Sequence, residues 1–91
     1  MYSTQQKADK ARAVWSEALN TDENTAARIM AWDAGDNAAA TCAENGQDRF
    51  NAEGQLSDEF IYWWELSLIG ILADSSDASA LVYYAKRGIV A

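Results

Sequence analysis

The feature that most constrains the fold of this chain is a long apolar segment, FIYWWELSLIGILA, at residues 60–73. Glu65 is its only charged residue. The segment is shorter than the roughly 20 residues that a helix needs to cross a bilayer, and acidic residues flank it on both sides, so we expect neither a membrane span nor a membrane partner. In a chain of 91 residues, a segment this apolar must be covered by the rest of the protein. The sequence therefore predicts a core built around residues 60–73.

The apolar segment can be read as a helix or as a strand. FIYWW and the later LVYYA are rich in aromatic and β-branched residues, which favour sheets. Neither stretch alternates apolar with polar residues, however, and both lie between residues typical of helix ends. Ser57 is a typical N-cap, and Asp58 and Glu59 follow it where the helix dipole favours anions. Because the chain also has no proline, the strongest helix breaker, we predict an all-α fold.

The chain is predicted to form one domain, residues 1–91, folded as a small bundle of about four helices. Helix three covers about 57–73 and is expected to be the central and most buried helix. A loop at about 45–56 precedes it, and this loop shows no clear period. Phe50 and Leu56 are expected to hold the loop to the core.

Helices one and two are predicted from apolar spacing and capping residues. Helix one covers about 3–19, where apolar residues recur at spacings of three and four. Helix two begins near Thr21, with Asp22 and Glu23 in its first turn, and ends at the Asn-Gly pair that opens the loop. Gly35 leaves open whether this segment is one helix or is broken.

Helix four is predicted at about 77–87. Lys86 and Arg87 are expected in its last turn, and Gly88 follows as a C-terminal cap. In helix two, the three alanines at 38–40 are small enough to let that helix pack closely against helix three.

Glu65 has two interpretations that the sequence leaves open. It marks a narrow solvent-facing strip of helix three, or it is buried and paired with Arg28 or Arg49, since an isolated buried charge is costly. On another line of the same helix, Ser67 and Gly70 are small residues where a second helix can approach closely.

No catalytic or metal-binding chemistry is predicted. The chain has no histidine, and Cys42 is its only cysteine, which excludes an intrachain disulfide and, without an apolar signal segment at the start, predicts a cytoplasmic protein. The stretch from Asp33 to Glu44 resembles a calcium loop, but Gly35 supplies no ligand and Ala38 replaces the required glycine. We expect no cofactor, no metal and no enzymatic activity.

The net charge of −7 argues against direct binding of nucleic acid, which needs cations to neutralise phosphates. It favours a protein partner with a basic surface. The acidic candidates for partner binding are Glu17, Asp22, Glu23, Asp33, Asp36, Glu44, Asp48, Asp74 and Asp77. In an up-and-down bundle the basic ends of the chain are expected at one pole, and Glu17, Asp22, Glu23, Asp74 and Asp77 at the other. If helix two is continuous, Asp33, Asn37, Glu44 and Asp48 form an acidic stripe along one face.

The aromatic content suggests a second kind of contact surface. The candidates are Trp32, Trp63, Trp64, Tyr83 and Tyr84. Adjacent tryptophans in a helix point about 100° apart, so Trp63 and Trp64 cannot both face one core. These aromatic residues are either core residues whose polar N–H or O–H groups reach solvent, or members of an exposed patch of the kind that marks interfaces.

Two functions follow from this pattern. The first is a non-enzymatic binding protein that inhibits another protein by blocking its basic nucleic-acid-binding or regulatory surface. In size, acidity and lack of catalytic residues, the chain resembles small phage-encoded inhibitors such as anti-CRISPR proteins and DNA mimics. The second is a self-associating helical adaptor or regulatory subunit, a possible homodimer, with Trp63, Trp64, Tyr83 and Tyr84 at the self-interface.

Overall fold

The computed structural model describes residues 4–91, which contain four α-helices and no β-strand. The helices are α1 (Gln5–Asn20), α2 (Thr25–Glu44), α3 (Asp58–Ala73) and α4 (Ala78–Ala85). Phe50 and Leu56 form an isolated antiparallel bridge within the loop before α3. The prediction of a small all-α bundle is therefore confirmed, and both FIYWW and LVYYA are helical. Among the helices of this part of the chain, none combines the length and apolarity that a membrane span requires.

Each helix starts at a polar N-cap whose side chain accepts a hydrogen bond from the backbone three residues later. Ser57 was correctly predicted as the cap of α3. The start of α2 differs from the prediction: Asn24 caps it, with its side chain 3.0 Å from the Ala27 amide. Because α2 begins at Thr25, Asp22 and Glu23 precede the helix and do not lie in its first turn.

The end of α4 also differs from the prediction. The helix stops at Ala85, so the Lys-Arg pair lies beyond its last turn. Gly88 has a positive φ of 82°, and the Ile89 amide donates to the Tyr84 carbonyl at 3.0 Å. This is the Schellman bond pattern, which closes the helix end and turns Ile89 into the core, where it is 4% exposed.

The central position of α3 is confirmed by what it buries. Trp64, Leu68 and Leu72 are almost completely buried and are among the largest such side chains of the described residues. They pack against α2, which presents a row of alanines with no exposed surface. These alanines are Ala27, Ala31, Ala34 and Ala38. Their small side chains allow close approach, and the indole Nε1 of Trp64 donates to the Ala31 carbonyl at 3.1 Å.

Helix α2 packs against all three other helices and is continuous through Gly35. Tyr84 fixes α4 to it, because its buried hydroxyl donates to the Ala27 carbonyl. Arg87 fixes the same end of the chain to α1 through both carboxylate oxygens of Glu17, at 2.7 and 3.0 Å.

The predicted close approach at Ser67 and Gly70 is half right. The Ser67 hydroxyl accepts a hydrogen bond from the Asn37 side chain of α2 at 2.9 Å. Gly70 is exposed, and a β-carbon placed on it would meet no described atom within 4 Å. It lies on the outer side of α3 because this helix buries the opposite side, which carries Trp64 and Leu68.

Candidate functional site

A mostly apolar groove opens between α2 and the loop that precedes α3, with a volume of about 350 Å³. Trp15, Gly35 and Phe60 line its inner part. Trp15 meets Phe60 edge-to-face, with ring centroids 5.5 Å apart. Because Phe60 is 2% exposed, these rings are a fixed part of the core that the groove reaches.

Two large apolar side chains stand at the rim of the groove. Trp32 on α2 is 55% exposed, and Phe50 on the loop is 53% exposed. Ile29 precedes Trp32 by three residues, so both lie on the same side of α2, and it is 54% exposed. Large exposed apolar groups of this kind are typical of interaction sites when they cluster around a concave surface.

Backbone hydrogen bonds hold the loop in place and direct Phe50 outward. The Asn51 amide donates to the Gln55 carbonyl at 2.8 Å, and the Ser57 amide donates to the Arg49 carbonyl at 2.8 Å. Leu56 packs against the core as predicted. Phe50 does not, because it stands at the groove rim with more than half of its surface exposed.

Charged groups lie on both sides of the groove. Asp36 lines the α2 side, and Arg49 lines the loop side, with its guanidinium carbon 6.0 Å from the Phe60 ring centroid. Asp33 is exposed on α2, three residues before Asp36. Asp48 lies on the loop and lines a neighbouring polar groove that Phe50 also borders. Phe50 therefore stands between an apolar groove and a surface rich in carboxylates.

That neighbouring polar groove carries two further acids, Asp58 and Glu59. Arg12 fixes one side of it: this guanidinium pairs with Asp58 and also donates to the Leu56 carbonyl at 2.8 Å. The loop is thus held to α1 as well as to α3.

The structure brings only part of the acidic candidate set to this region. Asp33 and Asp36 lie on α2 and Asp48 on the loop. Because α2 ends at Glu44, Asp48 is not part of a helical stripe, and that prediction is wrong for this residue. Glu44 is exposed at the end of α2.

The remaining acidic candidates lie elsewhere, and the predicted separation of charge into two poles is wrong for Arg87. Arg87 binds Glu17, so a residue of the basic end meets an acid assigned to the opposite pole. This happens because the short α4 ends beside the C-terminal part of α1, where Glu17 lies. Arg28 lies 3.6 Å from Asp22, while Glu23 is exposed in the turn before α2.

The two acidic candidates that follow α3 are both exposed, and each ends or starts a helix. Asp74 is the C-cap of α3. Asp77 caps α4, and hydrogen bonds, first from the Ser79 side chain and then from the Ala80 amide, lower the pKa of its carboxyl. The carboxylate of Asp77 thus has a structural role in the helix start.

The aromatic candidates divide between core and surface. Trp64, Tyr83 and Tyr84 are at most 3% exposed, so they are core residues of the described chain. Trp64 and Tyr84 each donate a hydrogen bond to a backbone carbonyl of the alanine row on α2. Trp63 is half-buried and donates from Nε1 to the Gln47 side chain at 2.8 Å. Trp32 alone of this set is highly exposed. Phe50, which was expected to hold the loop to the core, is instead a second exposed aromatic residue at the groove rim. A lone phenylalanine within a polar loop is the sequence signal for such a residue.

Glu65 matches neither of its two interpretations. It is half-buried in a small cleft between α1 and the C-terminal segment, shared with Lys7, Lys10 and Arg87. The two arginines proposed as its partners lie elsewhere: Arg28 is 3.6 Å from Asp22, and Arg49 lies over the ring of Phe60.

Residues 4–91 contain no group of three or more acidic or cysteine side chains positioned to hold a metal ion. Cys42 is buried against the core, and burial raises the pKa of its thiol. The groove with Trp32 and Phe50 at its rim is the candidate site, because it combines a mostly apolar lining with two exposed aromatic side chains. No protein-family model matches the chain, and no curated protein or solved structure is significantly similar to it.

Proposed function

We propose that this protein is a non-enzymatic binding protein that docks on a basic surface of another protein and blocks it. The observation that carries this proposal is the pair Trp32 and Phe50, each more than half exposed on opposite sides of one apolar groove. Exposed aromatic side chains on a rigid support are the groups that most often dominate binding energy at interfaces. The groove takes an apolar side chain of the partner, and the two rim residues cover it.

The charges beside the groove supply the preference for a basic partner. Asp36 lines the groove on α2 opposite Arg49, and Asp33 is exposed three residues before Asp36. Asp48 lies beyond Phe50, and the whole chain carries −7. The negative electrostatic potential of such a protein speeds its association with a cationic surface and disfavours acidic partners. It also repels nucleic acid, so the partner is a protein, and it is one whose basic surface itself binds nucleic acid or a regulator.

An inhibitor of this kind fits the compositional resemblance to phage-encoded anti-CRISPR proteins and DNA mimics. Its action is competitive: by covering a basic surface, it prevents the natural ligand of that surface from binding. A cytoplasmic site of action is consistent with a single cysteine that is buried and unavailable for disulfide formation.

The test is a pull-down from host lysate with the purified protein, compared with the double variant Trp32→Ala/Phe50→Ala. The matched control is Val82→Ala, because Val82 is exposed to a similar degree, 52%, on α4 and does not line the groove. Truncation of a central aromatic residue typically costs about 2 kcal/mol or more, so we expect a loss of at least about 30-fold in affinity. Retention of the partner by the double variant contradicts the proposal.

The dependence of binding on salt separates the contribution of charge attraction from that of the apolar contact at the groove. Raising the salt concentration screens exposed charges, so association slows while the apolar contact persists. The variant Asp33→Asn/Asp36→Asn is expected to bind more slowly and to show a weaker dependence on salt. An unchanged association rate in this variant would show that these carboxylates do not attract the partner.

A further inference from the structure

Two grooves of different chemical character meet at the ring of Phe50. One is the apolar groove between α2 and the loop, and the other is the polar groove beside the start of α3. Phe50 lines both of them, and 53% of its surface is exposed. The grooves have volumes of about 350 and 410 Å³, so each has room for one large side chain of a partner.

The charged residues that line the apolar groove balance each other. They are Asp36 on α2 and Arg49 on the loop. A cationic side chain in this groove would meet the guanidinium of Arg49, and an anionic one would meet the carboxylate of Asp36. The apolar groove therefore favours an uncharged, apolar side chain.

The polar groove, in contrast, has more carboxylates than cations. Asp48, Asp58 and Glu59 line it, together with a single guanidinium, that of Arg12. Arg12 pairs with Asp58 and also with Asp9. Asp48 and Glu59 form no ion pair with any residue in the part of the chain that the structure describes. The polar groove therefore favours a cationic side chain.

The two unpaired carboxylates belong to a well-ordered part of the backbone. Glu59 lies in the first turn of α3. Ser57, the cap of that helix, donates from its hydroxyl to the Asp48 carbonyl at 2.7 Å and accepts from the Phe60 amide at 3.1 Å. The same serine thus holds the backbone of Asp48 to the start of α3. Because this backbone is ordered before binding, a partner loses less entropy in ordering it.

We infer that the partner presents an arginine beside an apolar side chain, with the apolar side chain in the apolar groove and the arginine in the polar groove. This inference rests on the proposed function, since it names the chemistry of the partner at the same site. A guanidinium has a flat face that stacks on the exposed ring of Phe50, and its N–H groups donate to the carboxylates of Asp48 and Glu59. The ammonium of a lysine has no such face, so arginine is preferred.

The same geometry explains how binding would inhibit a partner that uses its arginine to bind nucleic acid. Such an arginine ordinarily donates its hydrogen bonds to phosphate oxygens. When it lies in the polar groove, the carboxylate oxygens of Asp48 and Glu59 accept these hydrogen bonds in place of the phosphate. The arginine is then no longer available to the nucleic acid.

A peptide array tests the inference without knowledge of the partner. Each peptide carries one arginine and one leucine in a glycine–serine background, at several spacings and in both orders. Matched peptides have lysine in place of arginine or glycine in place of leucine. The fluorescently labelled full chain is bound to the array, and the strongest peptides are titrated in solution by fluorescence anisotropy. We expect at least one arrangement to bind about fivefold more tightly than both of its matched peptides.

Variants of the protein assign each preference to its groove. Asp48→Asn/Glu59→Gln should lose the preference for arginine over lysine and keep the preference for leucine over glycine, which also shows that the variant is folded. Trp32→Ala should lose the preference for leucine, because Trp32 lines only the apolar groove. The matched control is Glu23→Gln/Glu44→Gln, which removes two exposed carboxylates that line neither groove and should keep both preferences.

Four results overturn the inference: an array in which no arrangement prefers arginine to lysine, Asp48→Asn/Glu59→Gln that keeps this preference, a control variant that loses it as fully, or Trp32→Ala that keeps the preference for leucine. The proposed function fails separately, in the lysate pull-down, if Trp32→Ala/Phe50→Ala still captures the partner. If that double variant loses the partner and the array shows no preference for arginine, only the present inference is rejected.

Discussion

The indole of Trp15 occupies the space that a side chain at position 35 would need. A β-carbon on Gly35 would lie 2.5 Å from Cη2 and 2.7 Å from Cζ3 of Trp15, far closer than van der Waals contact allows. Trp15 also meets Trp64 edge-to-face, with centroids 5.4 Å apart. Gly35 is therefore the point at which α1 crosses close to α2 and at which the floor of the groove is set.

Replacement of Gly35 by alanine should destabilise the protein, although alanine is the better helix former. Because Trp15 is held by Phe60 and Trp64, it cannot move aside freely, and overpacking of a core typically costs about 1–3 kcal/mol. Urea unfolding followed by far-UV circular dichroism measures the change in the free energy of unfolding.

Gly70→Ala is the matched control for that variant, because Gly70 also lies inside a helix. Nothing obstructs a methyl group at this position, so the free energy of unfolding should rise by up to about 1 kcal/mol. If both glycine variants shifted stability in the same direction, the contact between Trp15 and Gly35 would not constrain the core.

The helices of this protein could be predicted from the sequence because their signals are local. Ser57 and Asp77 are strong N-caps, and both are observed as caps of α3 and α4. The errors at helix ends also have local causes. Asn24 competes with Thr21 as the cap of α2. Gly88 closes the end of α4 as predicted, but the last helical residue is Ala85, so Lys86 and Arg87 lie in the closing turn. Composition alone does not decide between two capping residues that lie three positions apart.

The groove could not be predicted because it depends on how distant segments meet. The sequence does not show that the loop folds back beside α2, so Phe50 and Trp32 could not be placed across one cavity. The two-pole charge pattern failed for Arg87 for the same reason, since the contact between Glu17 and Arg87 joins residues seventy positions apart. The sequence likewise leaves open whether Trp64 and Tyr84 are core residues or part of an exposed patch, and only their packing against α2 shows that they are in the core.

Ala38 and Ala39 are adjacent, but their substitutions should have different effects. Ala38 is completely buried in the core, and Ala39 is half-buried and lines the groove. Ala38→Leu should lower the free energy of unfolding by about 1–3 kcal/mol through overpacking. Ala39→Trp should fill the groove, change the stability less than Ala38→Leu does, and abolish capture of the partner.

Urea unfolding and the lysate pull-down measure these two effects separately. Because Ala39→Trp is expected to remain folded, its loss of binding would locate the binding site in the groove. A variant with tryptophan at position 39 that still captures the partner at wild-type level would show that the groove is not used.

The ion pair between Glu17 and Arg87 should make stability sensitive to acid. The hydrogen bond from Arg87, assisted by its positive charge, lowers the pKa of the Glu17 carboxyl. A carboxyl whose pKa is lower in the folded than in the unfolded chain contributes stability above its unfolded pKa, and this contribution is lost as the pH falls through the folded value. Glu17→Gln should therefore be less stable than the wild type at neutral pH, with the difference disappearing in strong acid.

Measurement of urea midpoints for the wild type and Glu17→Gln over a series of decreasing pH values tests this prediction. The matched control is Asp33→Asn, which removes an exposed carboxylate of α2 that has no described ion pair. If the difference between the wild type and Glu17→Gln stayed constant down to strong acid, the pair would contribute nothing through its charge.

Tyr84 should make the protein sensitive to alkali in a way that can be assigned to one hydroxyl group. Burial, and secondarily the neighbouring Tyr83, raises the pKa of the Tyr84 phenol far above its ordinary value. In the unfolded chain the phenol ionises at a pKa of about 10, so above that pH the unfolded state releases a proton that the folded state retains. Each such group lowers the free energy of unfolding by up to about 1.4 kcal/mol per pH unit in this range.

The variant Tyr84→Phe removes this proton and also the hydrogen bond to the Ala27 carbonyl. At neutral pH it should therefore be less stable than the wild type by about 0.5–1.5 kcal/mol. Above a pH of about 10 its stability should fall less steeply than that of the wild type, so the two curves converge. Burial also raises the pKa of Tyr83, so a residual slope should persist in Tyr84→Phe. Parallel curves for the two proteins up to the point of alkaline unfolding would mean that Tyr84 ionises equally well in both states and that its hydroxyl is accessible to solvent.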